Sequence, residues 1–536
     1  MPTWHTTTRA PRGVVTTSVR TDPDIVRGLL EDAAHYPGGH AAGVAFVTTE
    51  ADVAAALASA AAVLPIGEQS SLTGAATPMG ELLLATSHAT AILGTGPGTV
   101  RVQAGVPLAA LNRVLAASNR CYPPVPTYDG ARVGGTVATN AAGAATFKYG
   151  STRHWVQALT VVLACGEVLD IVRGEVTAHP DGFFTIETGC RGVVRVPVPT
   201  YRMPDVPKCS AGYFAAPGMD LIDLFIGAEG TLGVITEVTL RVLPRRPAVC
   251  VALVPFRDER LGIATVRRLR AASLQTRETG DPHGLDVSAI EHLDRRSIQL
   301  VHEDGADRRL GVELPADAAL ALLVQLELPA GVDAATAFDQ IGLARAPDAP
   351  DTPLIRFCRL LDEAAVLDET EVAVPGDEAR AAQLFALREA VPAAVNARVG
   401  RAKQTIDGRI EKTAADMIVP FDRFEEMMAV YRDGFTRRGL DYAIWGHISD
   451  GNVHPNVIPH SYADVEAGKA AILDFGREVA RLGGCPLAEH GVGRNPVKQA
   501  LLREFYGPQG LAEMRAVKQA LDPEWKLAPG VLFQRE

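Results

Sequence analysis

The 536-residue chain has no Cys-x-x-Cys pair, and its seven cysteines (Cys121, Cys165, Cys190, Cys209, Cys250, Cys358 and Cys485) stand singly. An odd, scattered set argues against a disulfide framework and fits a reducing, cytoplasmic compartment. No apolar run reaches the ~18 residues needed to cross a bilayer. No cluster of Lys and Arg interrupts the formal net charge of -11, which argues against nucleic acid or an anionic lipid surface as partner. A Walker A pattern is missing too. The segment GTGPGTV (94–100) is no dinucleotide fingerprint, because its spacing is wrong and a strand-like run follows it instead of a helix. What is present is an ordinary globular composition, 47% apolar and 21% charged, at a length that favours at least two packed units. The first twenty residues hold Arg9, Arg12 and Arg20 and no acid. They read as a disordered basic terminus, with an organelle-targeting peptide as the weaker alternative.

Glycine is abundant, with 50 residues, and its placement divides the chain. Up to about residue 245, short strands and helices alternate with glycine-rich loops. VAFVTTEADVAAALASAAA reads as a strand and a helix capped by Thr48 or Thr49. TVRVQAGVPLAALNRVLAAS repeats that pattern, and ALTVVLACGEVLDIVRG reads as two strands around a turn at Cys165-Gly166. An alternating strand is expected from about Leu232 to Leu243. Beyond Pro244 glycine loops thin out. Phe421, Phe424, Met428, Tyr431 and Phe435 keep a 3-4 spacing, as do Ile472, Phe475, Val479 and Leu482, so two amphipathic helices are expected there.

Between those helices lies YAIWGHISDGNVHPNVIP. Asp450-Gly451 is a strong two-residue hairpin signal. That turn would pair Ser449 with Asn452, Ile448 with Val453 and His447 with His454. Imidazoles directly opposite each other, with Cβ atoms ~5 Å apart, can share one divalent metal. Downstream, PLAEHGVGRN adds Glu489 and His490. Adjacent residues on extended chain point opposite ways, so one can meet a metal while the other faces substrate. The spacing alone serves hydrogen-bonded hairpin residues equally well.

Three glycine clusters, PIGEQSSLTG (65–74), PPVPTYDGARVGGTVATNAAGAA (123–145) and GAEGTLGVITE (227–237), offer many backbone N–H groups at close range. Such loops hold a pyrophosphate without a cationic cluster. In this order they resemble the FAD-binding domain of the vanillyl-alcohol-oxidase/PCMH flavoprotein superfamily. GHISDGNVH, AEHGVG and ALDPEWKLAPGVLF resemble the FAD-linked oxidase C-terminal domain, a combination similar to D-lactate, glycolate and D-2-hydroxyglutarate dehydrogenases. The resemblance covers about residues 30 to 536.

It implies an α+β fold: an N-terminal extension (1–29), a two-subdomain PCMH-type FAD-binding domain (30–246), and an α+β cap or substrate domain with an antiparallel sheet (247–484). A C-terminal segment (485–536) would complete the active site and pack on the FAD domain. Non-covalent FAD is expected on Pro65, Gly67, Ser70, Ser71, Leu72, Thr73, Gly74 and Pro126. Gly134, Gly135, Thr136, Thr139, Asn140, Gly143, Glu229, Gly230, Gly233 and Ile235 would complete its cradle. Glu68 and Gln69 stand where the family has small residues, and the loop has no histidine to link a flavin. The implied metal ligands are His447, His454 and Glu489, holding zinc or manganese, with His490 as base. Arg388, Lys412 and Asn456 would meet the substrate, although Lys412 in KTAADMIVP stands two residues early. The implied reaction is oxidation of a D-2-hydroxy acid to the 2-oxo acid. A transferase of the alkyl-dihydroxyacetone-phosphate synthase type and a zinc hydrolase are the alternatives. The acceptor stays open among oxygen, quinone, cytochrome and electron-transfer flavoprotein. A quinone would admit peripheral membrane association, and a homodimer is an open option.

Overall fold

The computed structural model describes residues 3–124, 126, 128–245 and 247–535. Val125 and Thr127 of the second glycine cluster, and Met1, Pro2, Arg246 and Glu536 at the edges of the expected domains, lie outside the described residues. The chain forms two units. One comprises Met1–Gly143, Gly150–Pro244 and Cys485–Glu536; the other comprises Ala144–Tyr149 and Arg245–Gly484.

The first unit is built on three sheets. Gly43–Phe46, Leu82–Ala85 and Val63–Ile66 form a small parallel sheet with Leu82–Ala85 in the middle. Leu57, Val63, Leu82 and Leu84 bury its apolar residues. The helix Glu50–Ser59 follows its strand because Thr49 caps it: the hydroxyl accepts the N–H of Asp52, and the Asp52 carboxylate accepts the N–H of Thr49. Beside this sheet's Val63, the C-terminal segment hydrogen-bonds through Lys526 and Ala528. A five-stranded antiparallel sheet runs in the order Ile92–Thr95, Thr99–Gln103, Val234–Arg241, Val156–Val162, Val168–Val172. The third sheet joins Phe183–Thr188 with Gly192–Pro197 and, in parallel, with His5–Thr7.

That last pairing corrects the expectation of a disordered terminus. Arg9 sits between Glu50 and Asp170, 2.6 Å from each, and the Asp52 carboxylate accepts the N–H groups of Thr16 and Thr17. The charge of Arg9 is thus used in ion pairing.

The second unit is a seven-stranded sheet in the order Glu371–Ala373, Ala248–Phe256, Leu320–Leu328, Val287–Asp294, Tyr442–His447, Asn452–Val457, Met417–Ile418, with every pairing antiparallel. One face carries Val251, Leu253, Leu293, Leu323 and Trp445 and is buried with Leu384, Leu387 and Val391 of the long helix Glu378–Thr405. The two expected amphipathic helices are Phe424–Thr436 and Tyr462–Arg481, and Phe475 of the second contacts Tyr431 and Phe435 of the first. Residues 144–149 belong here because Tyr149 donates to Glu327 (2.6 Å), Lys148 pairs with Glu327 and Asp286, and Arg277 donates to the carbonyl of Phe147 (3.0 Å).

Candidate active site

In the first unit the glycine clusters, scattered in sequence, converge. The Gly227 and Glu229 N–H groups donate to the carbonyls of Val137 (3.0 Å) and Ala138 (2.8 Å). Gly230 faces Pro65, and Gly67 faces Arg132. The short helix Val133–Ala138 lies so close to the preceding strand that a Cβ on Gly134 would stand 2.6 Å from the Ala104 Cβ. Gly233 is equally confined, 2.3 Å from Val161 by the same measure, whereas a Cβ on Gly135 would meet nothing. Thr136 and Thr139 turn their hydroxyls back onto Val133 and Gly135, and the Asn140 side chain accepts the N–H of Arg153. Thr73, Gly74 and Gly143 are buried, Ile235 is on the central strand of the five-stranded sheet, Pro126 and Ser71 are half-buried, and Ser70 and Leu72 are exposed. Close backbone approach at glycine, with few charged side chains, suits a ligand held through backbone N–H groups such as FAD.

The two departures in the first loop are accommodated. Gln69, at φ +53°, donates its amide to the carbonyls of Leu29 and Ala76, closing the loop on itself. Glu68 reaches Arg132 at 2.7 Å and ties the first loop to the second.

A fourth loop, Gly491–Arg494, joins the same cradle. Glu229 is the bracket: its carboxylate accepts the N–H groups of Val492 (2.7 Å) and Gly493 (2.9 Å). Burial outweighs those two hydrogen bonds and raises its pKa to about 7. The Arg494 N–H donates to the Thr73 carbonyl, and its guanidinium pairs with buried Glu81 at 2.6 Å. Immediately before this loop, Glu489 is buried and His490 is half-buried. Glu489 is ion-paired with Lys208, a fully buried lysine that no sequence motif singles out. The Ser210 hydroxyl donates to Leu487 and accepts from Gly491, shaping the same turn.

In the second unit the hairpin differs from expectation. Its register pairs His447 with Asn452, Gly446 with Val453 and Trp445 with His454, around a four-residue connection, Ile448–Gly451. The two-residue turn at Asp450-Gly451 is therefore corrected, and His447 and His454 are diagonal neighbours instead of direct partners. Gly451 takes φ +86° there, where a Cβ would lie 2.3 Å from the Val419 carbonyl oxygen. The shift still keeps both rings on one face, because side chains alternate with a period of two along a strand. Their centroids are 5.5 Å apart at 86°.

Each imidazole has its own buried carboxylate. His447 Nδ1 is 2.9 Å from Glu291, and His454 Nδ1 is 3.4 Å from Asp416. A proton on Nδ1 facing a carboxylate puts the ring lone pair on Nε2, the arrangement of metal-ligating histidines. A donor set of two imidazoles, each with a carboxylate behind it, fits a divalent metal such as zinc. Burial opposes ionisation of Glu291, but Arg388 and His447 outweigh it and hold the carboxyl at about 2. Glu291 and Asp416 were missed in the sequence reading. A carboxylate in the middle of the strand-like run VSAIEHLD was the one available signal for Glu291.

Arg388 gives Nε to Glu291 (3.0 Å) and Nη1 to Glu389 (2.7 Å), while its Nη2 has no hydrogen bond among the described residues. Asn456 lies on the same strand face as His454 and donates to the His454 carbonyl. Lys412 is exposed and has no carboxylate partner among the described residues.

Two family models match the chain. Residues 247–532 match the family model for FAD linked oxidases, C-terminal domain, and residues 41–171 match the FAD binding domain model. The chain belongs to the FAD-linked oxidase family. It is an FAD-linked oxidoreductase with a mixed α and β fold. Among curated relatives of this family, it is 29% identical to a D-2-hydroxyglutarate dehydrogenase of Xanthomonas citri pv. viticola, over 89% of this chain and 85% of the relative. It is 26% identical to a D-lactate dehydrogenase of Anaerostipes hadrus, over 87% of this chain and 83% of the relative. A glycolate oxidase subunit GlcD of Bacillus subtilis is 27% identical, over 88% and 84%. A solved alkyldihydroxyacetonephosphate synthase shares the fold, with a TM-score of 0.58 at 14% identity over 95% of this chain and 82% of that one. No helix among the described residues is long and apolar enough to cross a membrane.

Proposed function

We propose that this family member oxidises a D-2-hydroxy acid to the corresponding 2-oxo acid. The observation that carries the proposal is the pair of histidines on one face of the hairpin, each backed at Nδ1 by a buried carboxylate. The relatives named for D-2-hydroxyglutarate, D-lactate and glycolate support the substrate class.

In this reading His447 and His454 hold a divalent metal, zinc or manganese, with Glu489 as third ligand; the assignment of Glu489 rests on the family motif. FAD, when bound, supplies a two-electron acceptor for the C2 hydrogen, and the metal supplies a Lewis acid that acidifies the hydroxyl. Glu291 fixes the tautomer and orientation of His447. Arg388, held in place by Glu291 and Glu389, turns its remaining Nη2 donors to the substrate carboxylate. Lys412 adds a second cationic contact, and Asn456 a polar one. His490 accepts the hydroxyl proton on its imidazole, a transfer that contributes ~10²–10⁴-fold in general. The four glycine loops hold the cofactor non-covalently through backbone N–H groups.

An anaerobic screen of 2-hydroxy acids against the yellow holoprotein tests the proposal. Bleaching by one D-acid, and its loss on treatment with chelator, is expected. Bleaching that survives metal removal would sink the role given to the histidines. A flavin that no hydroxy acid bleaches would sink the substrate class and favour the transferase or hydrolase reading.

A further inference from the structure

Cys209 and Cys485 are 276 residues apart in the chain, yet their Sγ atoms meet at 3.5 Å within the first unit. They are unlinked. The Ser210 N–H donates to the Leu487 carbonyl at 2.9 Å, so the two backbones already run side by side. A disulfide needs sulfurs at ~2.05 Å, which leaves about 1.5 Å to close.

The two thiols differ in surroundings. Cys485 is buried and donates to the Leu487 carbonyl at 3.2 Å. Cys209 is only half-buried, beside the Tyr506 hydroxyl. Contact with the Cys485 thiol, opposed by burial, brings the Cys209 thiol below its ordinary value. A small oxidant therefore meets the half-buried Cys209 first, with Cys485 directly behind it. The exposed pair Cys165 and Cys190 is the contrast, since burial and the neighbouring thiol push Cys165 up to about 11.

We propose that Cys209 and Cys485 are a peroxide-oxidisable pair that closes reversibly to a disulfide and so controls the loop carrying Glu489 and His490. In the first step the Cys209 thiolate attacks one oxygen of hydrogen peroxide; the O–O bond breaks and hydroxide leaves to become water. Cys209 is then a sulfenic acid. In the second step the Cys485 sulfur attacks the Cys209 sulfur, the S–O bond breaks, and a second water leaves with the Cys485 proton. Two thiols and one peroxide thus give one disulfide and two waters, with two electrons passing from sulfur to peroxide.

The link falls where it matters. Cys209 sits between Lys208, paired to Glu489, and Ser210, which holds the N–H of Gly491. Cys485 opens the segment that leads to Glu489. A covalent tie between these segments restrains the Glu489–Gly491 turn. That consequence rests on the function proposed above; the chemistry of the pair does not.

The test treats reduced, full-length holoprotein with limiting hydrogen peroxide in the presence of dimedone and maps its peptides without reduction. A Cys209–Cys485 cross-linked peptide that dithiothreitol removes is expected, with no dimedone adduct on Cys209. In Cys485→Ser the adduct on Cys209 should accumulate, and in Cys209→Ser neither product should form. Dimedone or sulfinic acid on wild-type Cys209 without the cross-link, or oxidation confined to Cys165 and Cys190, would overturn the proposal. Cross-linked protein should reduce its flavin roughly threefold or more slowly and recover with dithiothreitol. An unchanged rate in fully cross-linked protein would remove the control function, and a flavin reduced by no hydroxy acid even before oxidation would instead indict the functional reading.

Discussion

In the proposed function, the glycine cradle of the first unit and the histidine pair of the second position their reactive groups by opposite means. The cradle works by leaving side chains out. Gly134 and Gly233 let backbone come close where a Cβ would collide. The histidine pair works through side chains, each held by another: Asp416 behind His454, and Glu291 behind His447 with Arg388 beside it. The first arrangement tolerates change at exposed side chains and fails on added volume. The second tolerates no loss of charge, because its members are buried and mutually dependent.

Four substitutions sharpen that contrast. Glu291→Gln removes the anion shared by His447 and Arg388 and leaves a buried guanidinium with one partner fewer. Loss of a buried pair member costs about 3–5 kcal/mol, and loss of a carboxylate behind a metal ligand costs ~10–100-fold in metal affinity. Chemical denaturation and metal titration should show both effects. An unaltered metal affinity would mean that Glu291 serves only the fold.

Gly134→Val forces the helix Val133–Ala138 off Ala104, with an overpacking cost of about 1–3 kcal/mol. Purified protein should lose FAD, read from the flavin-to-protein absorbance ratio, while its metal affinity stays near wild type. Equal loss of both would erase the distinction between the two sites.

Third is acid stability. Burial holds His292 at about 3, against 6.5 ordinarily. The unfolded chain takes up this proton below pH 6.5 and the folded chain does not, so the contribution is fully present above 6.5 and is lost as pH falls toward 3. His292→Gln should flatten the pH dependence of unfolding over that window, and an unchanged slope would refute the burial argument.

The smallest effect is expected for Glu68→Ser, which restores a small residue to the first loop. The Glu68–Arg132 pair is partly exposed, so its loss costs about 1 kcal/mol or less. FAD affinity measured by fluorescence quenching should change little. A collapse of FAD binding would show that the ion pair holds the two loops together.

Much of the cradle was legible because glycine clusters and strand alternation are local signals. The Thr49 cap and the two amphipathic helices followed from spacing in the same way. The hairpin was half legible. Asp450-Gly451 announced a turn, but its length depended on Gly451 fitting against Val419, a contact absent from local pattern. The N-terminal strand was misjudged because its partners, Glu50, Asp170 and Thr185–Glu187, are distant in sequence. Lys208, Glu291 and Asp416 went unnoticed for the same reason: a buried charge is defined by its partner, and each partner here lies at least 36 residues away.

By itself the sequence determined the residue types at each site, the turns, and the period-two alternation that places His447 and His454 on one face of the hairpin whatever the even shift in register. Tertiary structure decided which carboxylate stands behind each imidazole, how Glu229 brackets the Gly491–Arg494 loop, and that Cys209 and Cys485 meet. Alternation and capping act over a few residues and survive in any fold, whereas pairing of buried charges and thiols exists only after distant segments have packed and excluded water.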